Sequence, residues 1–554
     1  MAETEAKKYI RYMQHLEQNR LYWDNRNINI MKFEIPGRGK YPSVSPDPDH
    51  GEDRWDDIMN ESTALAARTT VSGMIWGLSS PASEWFRIGI TDKDLQKYGP
   101  VKQHLNTIQR GLNSIFHRSN FYSALYPLYE EEIGFGGAVQ LALSDEDILA
   151  YYHMVPAGQY VLANDSRGEP DTMGRRYFRT ARQIVETFGF NNVSMKIKKA
   201  YSKNPYEWFS IIHFIERNPD YDARHMDKGH MKYRSVYIDP SSEGRILRKA
   251  GFKTKPFFTP RFSRLAEETY GRGIGGMMLG SAMSLQEMEK TSLNALYKTV
   301  DPPVVGPPEF SENIDVSAGG YNVAPAAARM DTIKALYQID YNIRGVEEKI
   351  RQVEQRISRG YFNDLFLFIL NHPNATATEI LERKSEKVIL LGPVVTAQQD
   401  EYFEPAIIRT YELALDENYF PEPPRELSAA TLEIEFVSQL AIAQKIACTE
   451  SVYGYMQFVG AAAGIDQNAA DKFDADQAID EIADLLGVPP KINRGEDEVA
   501  PIRAAKAQAA AQQEQQAGIL TAIGAAKEMS KTDTSGKNAL TDVTGAQEEP
   551  IVEE

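Results

Sequence analysis

The stretch DTIKALYQIDYNIRGVEEKIRQVEQRISRGY, residues 331–361, decides how the rest of the chain is read. Its apolar residues Leu336, Ile339, Ile343, Val346, Ile350, Val353 and Ile357 follow one another at steps of three and four. That spacing puts them on one stripe of a helix that starts at Asp331, ends near Tyr361 and is about 45 Å long. The other faces carry Arg344, Glu347, Lys349, Arg351, Glu354, Arg356 and Arg359. Glu347 and Arg351 stand in the i,i+4 order that stabilises a helix. A narrow apolar seam under a charged surface belongs to a helix that packs along another, in a bundle or a coiled coil.

Immediately upstream lies DPPVVGPPEFSENIDVSAGGYNVAPAAARM, residues 301–330. Prolines and glycines surround short β-prone pieces there, so a compact hairpin insertion is expected between helices. Before it, Tyr270–Val300 reads as another long helix, opening on Gly271, Gly273 and Gly276, a literal GxGxxG. A dinucleotide site needs a buried strand just ahead of that motif, and the preceding RLAEETY is charged and strandless. The glycines are expected instead to admit another backbone or to bend the start of the helix.

Further upstream, residues 3–23 and roughly 54–79 read as helices, joined by a Pro/Gly/Asp-rich loop. Asp47, Asp49, Glu52 and Asp53 invite a calcium reading, but Gly51 is one position early and no Glu closes the loop. From about 83 to 262, EWFRIGI, GAVQLAL, QYVLA, RRYFRT, WFSIIHFIE, YRSVYID and GRILRK read as strands, interrupted by the helix ARQIVETFG. A largely antiparallel sheet decorated by helices is expected. His213, His225 and His230 have no HExxH spacing and read as ordinary histidines.

Downstream, FNDLFLFILNHPNA carries the apolar run Leu365–Leu370 and breaks at His372-Pro373-Asn374. A third long helix follows from Thr376 or Thr378, kinked at Pro393 and Pro405. LEIEFVS reads as a strand and QLAIAQKIACTESVYGYMQFVG as a helix. Past Lys491 the chain is Ala/Gln/Glu-rich; Ala504–Lys531 is expected to be helical and the last ~20 residues disordered by composition.

At 554 residues, with 42% hydrophobic and 25% charged side chains, the chain can bury substantial cores and points to several domains. No apolar run is long enough to cross a bilayer, and the first twenty residues lack a signal-peptide core. The lone Cys448 excludes a disulfide framework and reads as a small core hydrophobe. The net charge is −17, of which residues 397–554 supply −18, while 196–272 carry +8. So acidic a chain is poorly suited to gripping nucleic acid generally, though it can lie beside DNA. No P-loop, HExxH or GxSxG is present, so no catalytic residue, metal or cofactor is expected.

The order β-rich domain, long helix, Pro-rich hairpin, heptad helix, loop and kinked helix resembles the portal, or head-to-tail connector, family of short-tailed phages. The resemblance is carried by RFSRLAEETYGRGIG (261–275), LNALYKTVDPPVV (293–305), VSAGGYN (316–322), ATATEILERKSEKVILLGPVVTAQQDEYFEPAIIRTYE (375–412) and LEIEFVSQLAIAQK (432–445), within a similarity over roughly residues 5–490. The Ala/Gln-rich tail matches no part of that pattern.

The resemblance implies an α+β portal fold and a virion protein, made in the host cytoplasm and placed at one capsid vertex. It implies a wing (1–270 and 378–465), stem helices (271–300 and 331–361), a clip (301–330), a tunnel loop (362–377), a helical crown (466–530) and a disordered acidic tail (531–554). The clip would include Asp301, Pro302, Pro303, Pro307 and Pro308. Arg344, Lys349, Arg351, Arg356, Arg359, Phe366, Phe368, His372 and Asn374 would face the DNA channel. Leu336, Ile343, Val346, Ile350, Val353 and Ile357 would form ring contacts. The implied partners are other copies in a ring, usually of twelve, passing double-stranded DNA, the terminase large subunit, major capsid and scaffolding proteins, and tail adaptor and internal head proteins. Against this stand a coiled-coil scaffold built on the 336–357 seam and a nucleotide-dependent enzyme built on Gly271–Gly276.

Overall fold

The computed structural model describes residues 5–448 except 39–40, 42–54, 57, 93–94, 96–97, 226, 242–243, 266, 301–303, 306–333, 336–342, 372–387 and 428–431. Beyond 448 it describes 455, 457–461, 473–474, 477, 499–509 and 512. The elements below belong to one compact unit, Met1–Phe473; in the second, Asp474–Glu554, residues 499–509 are helical.

The chain opens with α1 (Glu5–Phe33), α2 (Ser62–Ser79), β1 (Phe86–Ile90), α3 (Gly99–Arg118) and α4 (Phe121–Phe135). Then come β2 (Val139–Asp145), β3 (Leu149–Val155), β4 (Tyr160–Asn164), β5 (Pro170–Thr180), α5 (Ala181–Phe188) and α6 (Met195–Lys203). β6 (Trp208–Arg217), β7 (Tyr233–Asp239), β8 (Arg245–Phe252) and β9 (Phe257–Phe258) lead to α7 (Ile274–Val300). After β10 (Val304–Val305) and β11 (Lys334–Ala335) follow α8 (Ile343–Gly360) and α9 (Asn363–Asn371). α10 (Gly392–Gln398), a π-helical turn (Gln399–Phe403), α11 (Glu404–Asp416), β12 (Leu432–Phe436) and α12 (Gln439–Cys448) complete the unit.

Strands β4 to β8 form an antiparallel sheet in sequence order. Helices cover both faces, which is why β6 is apolar along nearly its whole length instead of alternating. On one face Ala6, Tyr9, Met13 and Leu16 of α1 pack on Val161, Ile212, Phe214, Val236 and Ile238. On the other, Ala181 and Ile184 of α5 and Ile197 and Ala200 of α6 pack on Phe209, Ile211 and Tyr237. Thr180 and Gln183 close a capping box on α5, and Ser194 caps α6.

The larger core gathers α2, α3, α4, the sheet β3-β2-β9 and the C-terminal helices. Trp85, Phe86, Phe116, Phe121, Tyr402 and Phe403 stack at its centre, bringing residues 85–121 against 402–403. β1 pairs antiparallel with β12, Phe86 opposite Phe436, so the C-terminal part of the unit is stitched to its beginning.

The mixed α+β class and the predicted strands stand as expected, and β3, β9, α3, α4 and α6 join them. The first helix runs on to Phe33. The helix expected from Asp331 is corrected at its start: Lys334 and Ala335 are extended and pair with Val305 and Val304. The loop expected over 362–377 is corrected at residues 363–371, which are helical. The kink expected at Pro405 takes the form of the π-turn, in which Glu404 N–H donates to Gln399 O five residues back. Proline has no N–H to offer Glu401 O, and the extra residue spares its ring a clash. Pro393 lies in the first turn of α10, where its missing donor costs nothing. The expected tail 531–554 lies outside the described residues.

Candidate functional site

Helix α7 begins where the chain from Tyr270 crosses the end of α4. Gly136 closes α4 in the left-handed region at φ +102°. A Cβ on Gly271 would overlap Gly136 O, one on Gly273 would stand 2.8 Å from Glu132 O, and one on Gly275 2.6 Å from Gly134 O. These glycines let two backbones touch and seat the root of α7. They offer no nucleotide site, since α4 occupies the space a diphosphate would need.

Helix α8 returns beside α7 and packs against α2 as well. Ile350, Val353 and Ile357 are buried in the unit's own core, with Val346 half-buried at its margin. The seam is therefore spent within one chain, which corrects the reading of Ile350, Val353 and Ile357 as ring contacts. Ile343 and Arg344 belong to α8, but their side chains, like residues Leu336 and Ile339, lie outside the described ones. Glu354 accepts from Asn60 Nδ2 (2.9 Å) and Ser62 Oγ (3.1 Å), tying α8 to the start of α2. Lys349, Arg351, Arg356 and Arg359 are exposed on the outer face. Arg351 lies 4.0 Å from Glu348, not in the expected pair with Glu347.

The corner after α8 is pinned by a buried acid. Tyr361 O–H donates to Glu34 Oε2, and both residues are fully buried. Burial pushes the Glu34 carboxyl up to about 8, opposed by that hydrogen bond. Thr70 Oγ1 donates to Tyr361 O at 2.6 Å, and Phe362 turns the chain at φ +54°. Phe366 of α9 then packs its ring on Gly73 of α2, while Phe368 is half-buried against the same core. Phe366 is thus a core residue, which corrects its placement facing the DNA channel. His372, Asn374, Asp301, Pro302, Pro303, Pro307 and Pro308 lie outside the described residues.

The π-turn builds a second buried polar cluster that the motifs did not signal. Gln398 Nε2 donates to Glu132 Oε1 at 2.5 Å, and Tyr402 O–H donates to Gln140 Oε1 at 2.9 Å. Burial, then the Glu401 charge, holds the Glu132 carboxyl well above the usual range. Glu401 itself takes a bidentate pair from Arg261, 2.6 Å at its shortest. A π-turn was hinted at only by Pro405. Among the described residues no cluster of His, Cys, Asp or Glu could hold a metal ion, and no helix is long and apolar enough to cross a membrane.

What the geometry provides is a mixed α+β body, with two long helices rooted in it and joined through a paired-strand base. Residues 6–493 match the sequence profile of the family described as bacteriophage head to tail connecting protein. The chain is 34% identical over 555 residues to a probable portal protein of Bordetella phage BPP-1, covering 99% of both chains. It is 32% identical over 558 residues to a portal protein of Salmonella phage epsilon15, covering 99% of this chain and all of the other. The profile match over residues 6–493 and the similarity to two portal proteins over 99% of this chain lead to one conclusion: this chain belongs to the bacteriophage head-to-tail connecting protein family.

Proposed function

We propose that the chain is a portal subunit, which closes into a ring at one capsid vertex and forms the conduit through which double-stranded DNA is packaged and ejected. The observation that carries this is the similarity to two portal proteins over 99% of this chain. In this reading α7 and α8 are the stem, the segment based on β10 and β11 is the clip, and most of the remainder up to about residue 465 is wing. The clip docks the terminase large subunit during packaging and the tail adaptor afterwards. The wing meets major capsid and scaffolding proteins, and the C-terminal crown faces internal head proteins. Arg356, Arg359 and Lys349 stand on the stem's exposed face, where sparse positive charge on an acidic ring lets DNA slide rather than stick.

The scaffold alternative loses its support from the seam, because Ile350, Val353 and Ile357 are already covered by α2 and α7. Negative-stain microscopy of the purified chain tests the proposal. Closed rings with a central hole, of about twelve subunits, are expected; rods or monomers at all concentrations would refute it.

A further inference from the structure

Among the described residues, a row of lysines without ion pairs lies on the α5–α6 layer. Residues 179–208 hold six basic side chains and two acidic ones in a chain of net charge −17. Lys196, Lys199 and Lys203 recur at i, i+3 and i+7 along α6 and are all exposed, with Lys196 at the margin of the packed face, its ammonium 5.7 Å over the Phe209 ring. None of them makes an ion pair with a described residue; of the two acids, Glu186 is occupied by Arg182 at 2.9 Å.

Exposed aromatic rings surround this row. Tyr206 is 67% exposed and Trp208 42% exposed. Two backbone bonds, Arg182 N–H to Pro205 O (3.0 Å) and Ala181 N–H to Glu207 O (2.9 Å), hold their loop against the start of α5. At the other end, Phe190 meets Tyr201 edge-on at 6.2 Å, with Lys198 over its face at 5.1 Å. Two large open rings next to a lysine row make a patch with both apolar faces and positive charge to offer a partner. Protein–protein contacts deplete lysine at their centres, whereas lysine rows beside open aromatic faces are how single strands are held, phosphates on the ammoniums and bases on the rings.

We propose that the α5–α6 face binds single-stranded nucleic acid through Lys196, Lys199 and Lys203, with Tyr206 and Trp208 as stacking platforms. This goes beyond the conduit reading and does not rest on it, since a conduit for duplex has no need of base stacking.

The test is fluorescence anisotropy of a labelled 20-nucleotide oligothymidylate with the full-length chain at low salt. A 20-base-pair duplex and polyglutamate serve as the other probes. Binding of the single strand is expected. The pair Lys199→Gln/Lys203→Gln should weaken it and flatten its log–log salt slope by about 0.7 for each lysine removed. Tyr206→Ala/Trp208→Ala should weaken it about tenfold or more, while Lys199→Arg/Lys203→Arg should retain it. Circular dichroism melts matching the parent verify that the surface variants are folded. No binding, binding indifferent to Tyr206 and Trp208, duplex binding as tight as the single strand, or tighter capture of polyglutamate would each overturn the proposal. The last would make this face a dock for an acidic protein instead.

Discussion

Glu34 is the most consequential single residue, because it joins the end of α1 to the end of α8 across 327 positions of sequence. Its carboxyl titrates near 8 in the folded chain and at 4.5 ordinarily, so the folded state holds a proton that the unfolded state releases. That contribution is complete below about pH 4.5 and is lost as pH rises towards and through 8, with a slope of up to about 1.4 kcal/mol per pH unit. Glu34→Gln keeps an acceptor for Tyr361 and removes the titration. Melting temperatures measured from pH 6 to 9 should fall less steeply in that variant than in the parent; identical slopes would mean that Glu34 is not the group responsible. Gly271→Ala tests the neighbouring contact. Its methyl would drive into Gly136 O, so a loss of roughly 2–4 kcal/mol in denaturant unfolding is expected, and an unchanged midpoint would show that the two backbones can part. From sequence the glycines could be read as a close approach or as a bend at the helix start, and the contacts of Gly271 and Gly273 with residues 132–136 decide for the approach. Nothing local to Glu34 announces its partner, since both the burial and the hydrogen bond are tertiary.

Among the elements, α8 shows how a correct pattern can be given the wrong neighbour. The three-four spacing finds the helix and its buried face, but an apolar stripe carries no label for whether its cover is a second copy or the same chain. Here α2 and α7 supply the cover. Ile357→Asp, at a fully buried position, should therefore destabilise the subunit itself by several kcal/mol, by leaving a charge unpaired in the core. Denaturation under dilute conditions that disfavour rings separates the readings: a normal monomer that merely fails to assemble would restore the seam to the ring interface. Helix α3 leaves its mark in the sequence, for Val101, Leu105, Ile108, Leu112 and Ile115 repeat at helical spacing amid segments dominated by strands. Helix α9 is hidden from the sequence for a physical reason. A run such as Leu365–Leu370 has no period, and only the notch at Gly73 tells that Phe366 turns inward.

At the scale of the molecule, the paired strands β10 and β11 bring together the two points between which residues 306–333 run. Val304 stands opposite Ala335 and Val305 opposite Lys334, so the two ends of residues 306–333 leave the body side by side. A segment whose ends already meet can be exchanged for a short turn without straining what holds them, because the cost of closing a shorter loop falls rather than rises. Replacing 306–333 by a four-residue Gly/Ser linker should leave the melting temperature within a few degrees of the parent and leave rings visible by microscopy. The same replacement should abolish terminase-driven DNA packaging in a reconstituted system, because the proposed docking surface would be gone while the conduit stayed open. The two measurements must be made on one preparation. Intact rings that package normally would remove the clip assignment from this segment, and collapse of the melt would show that these residues help build the body on which the stem stands.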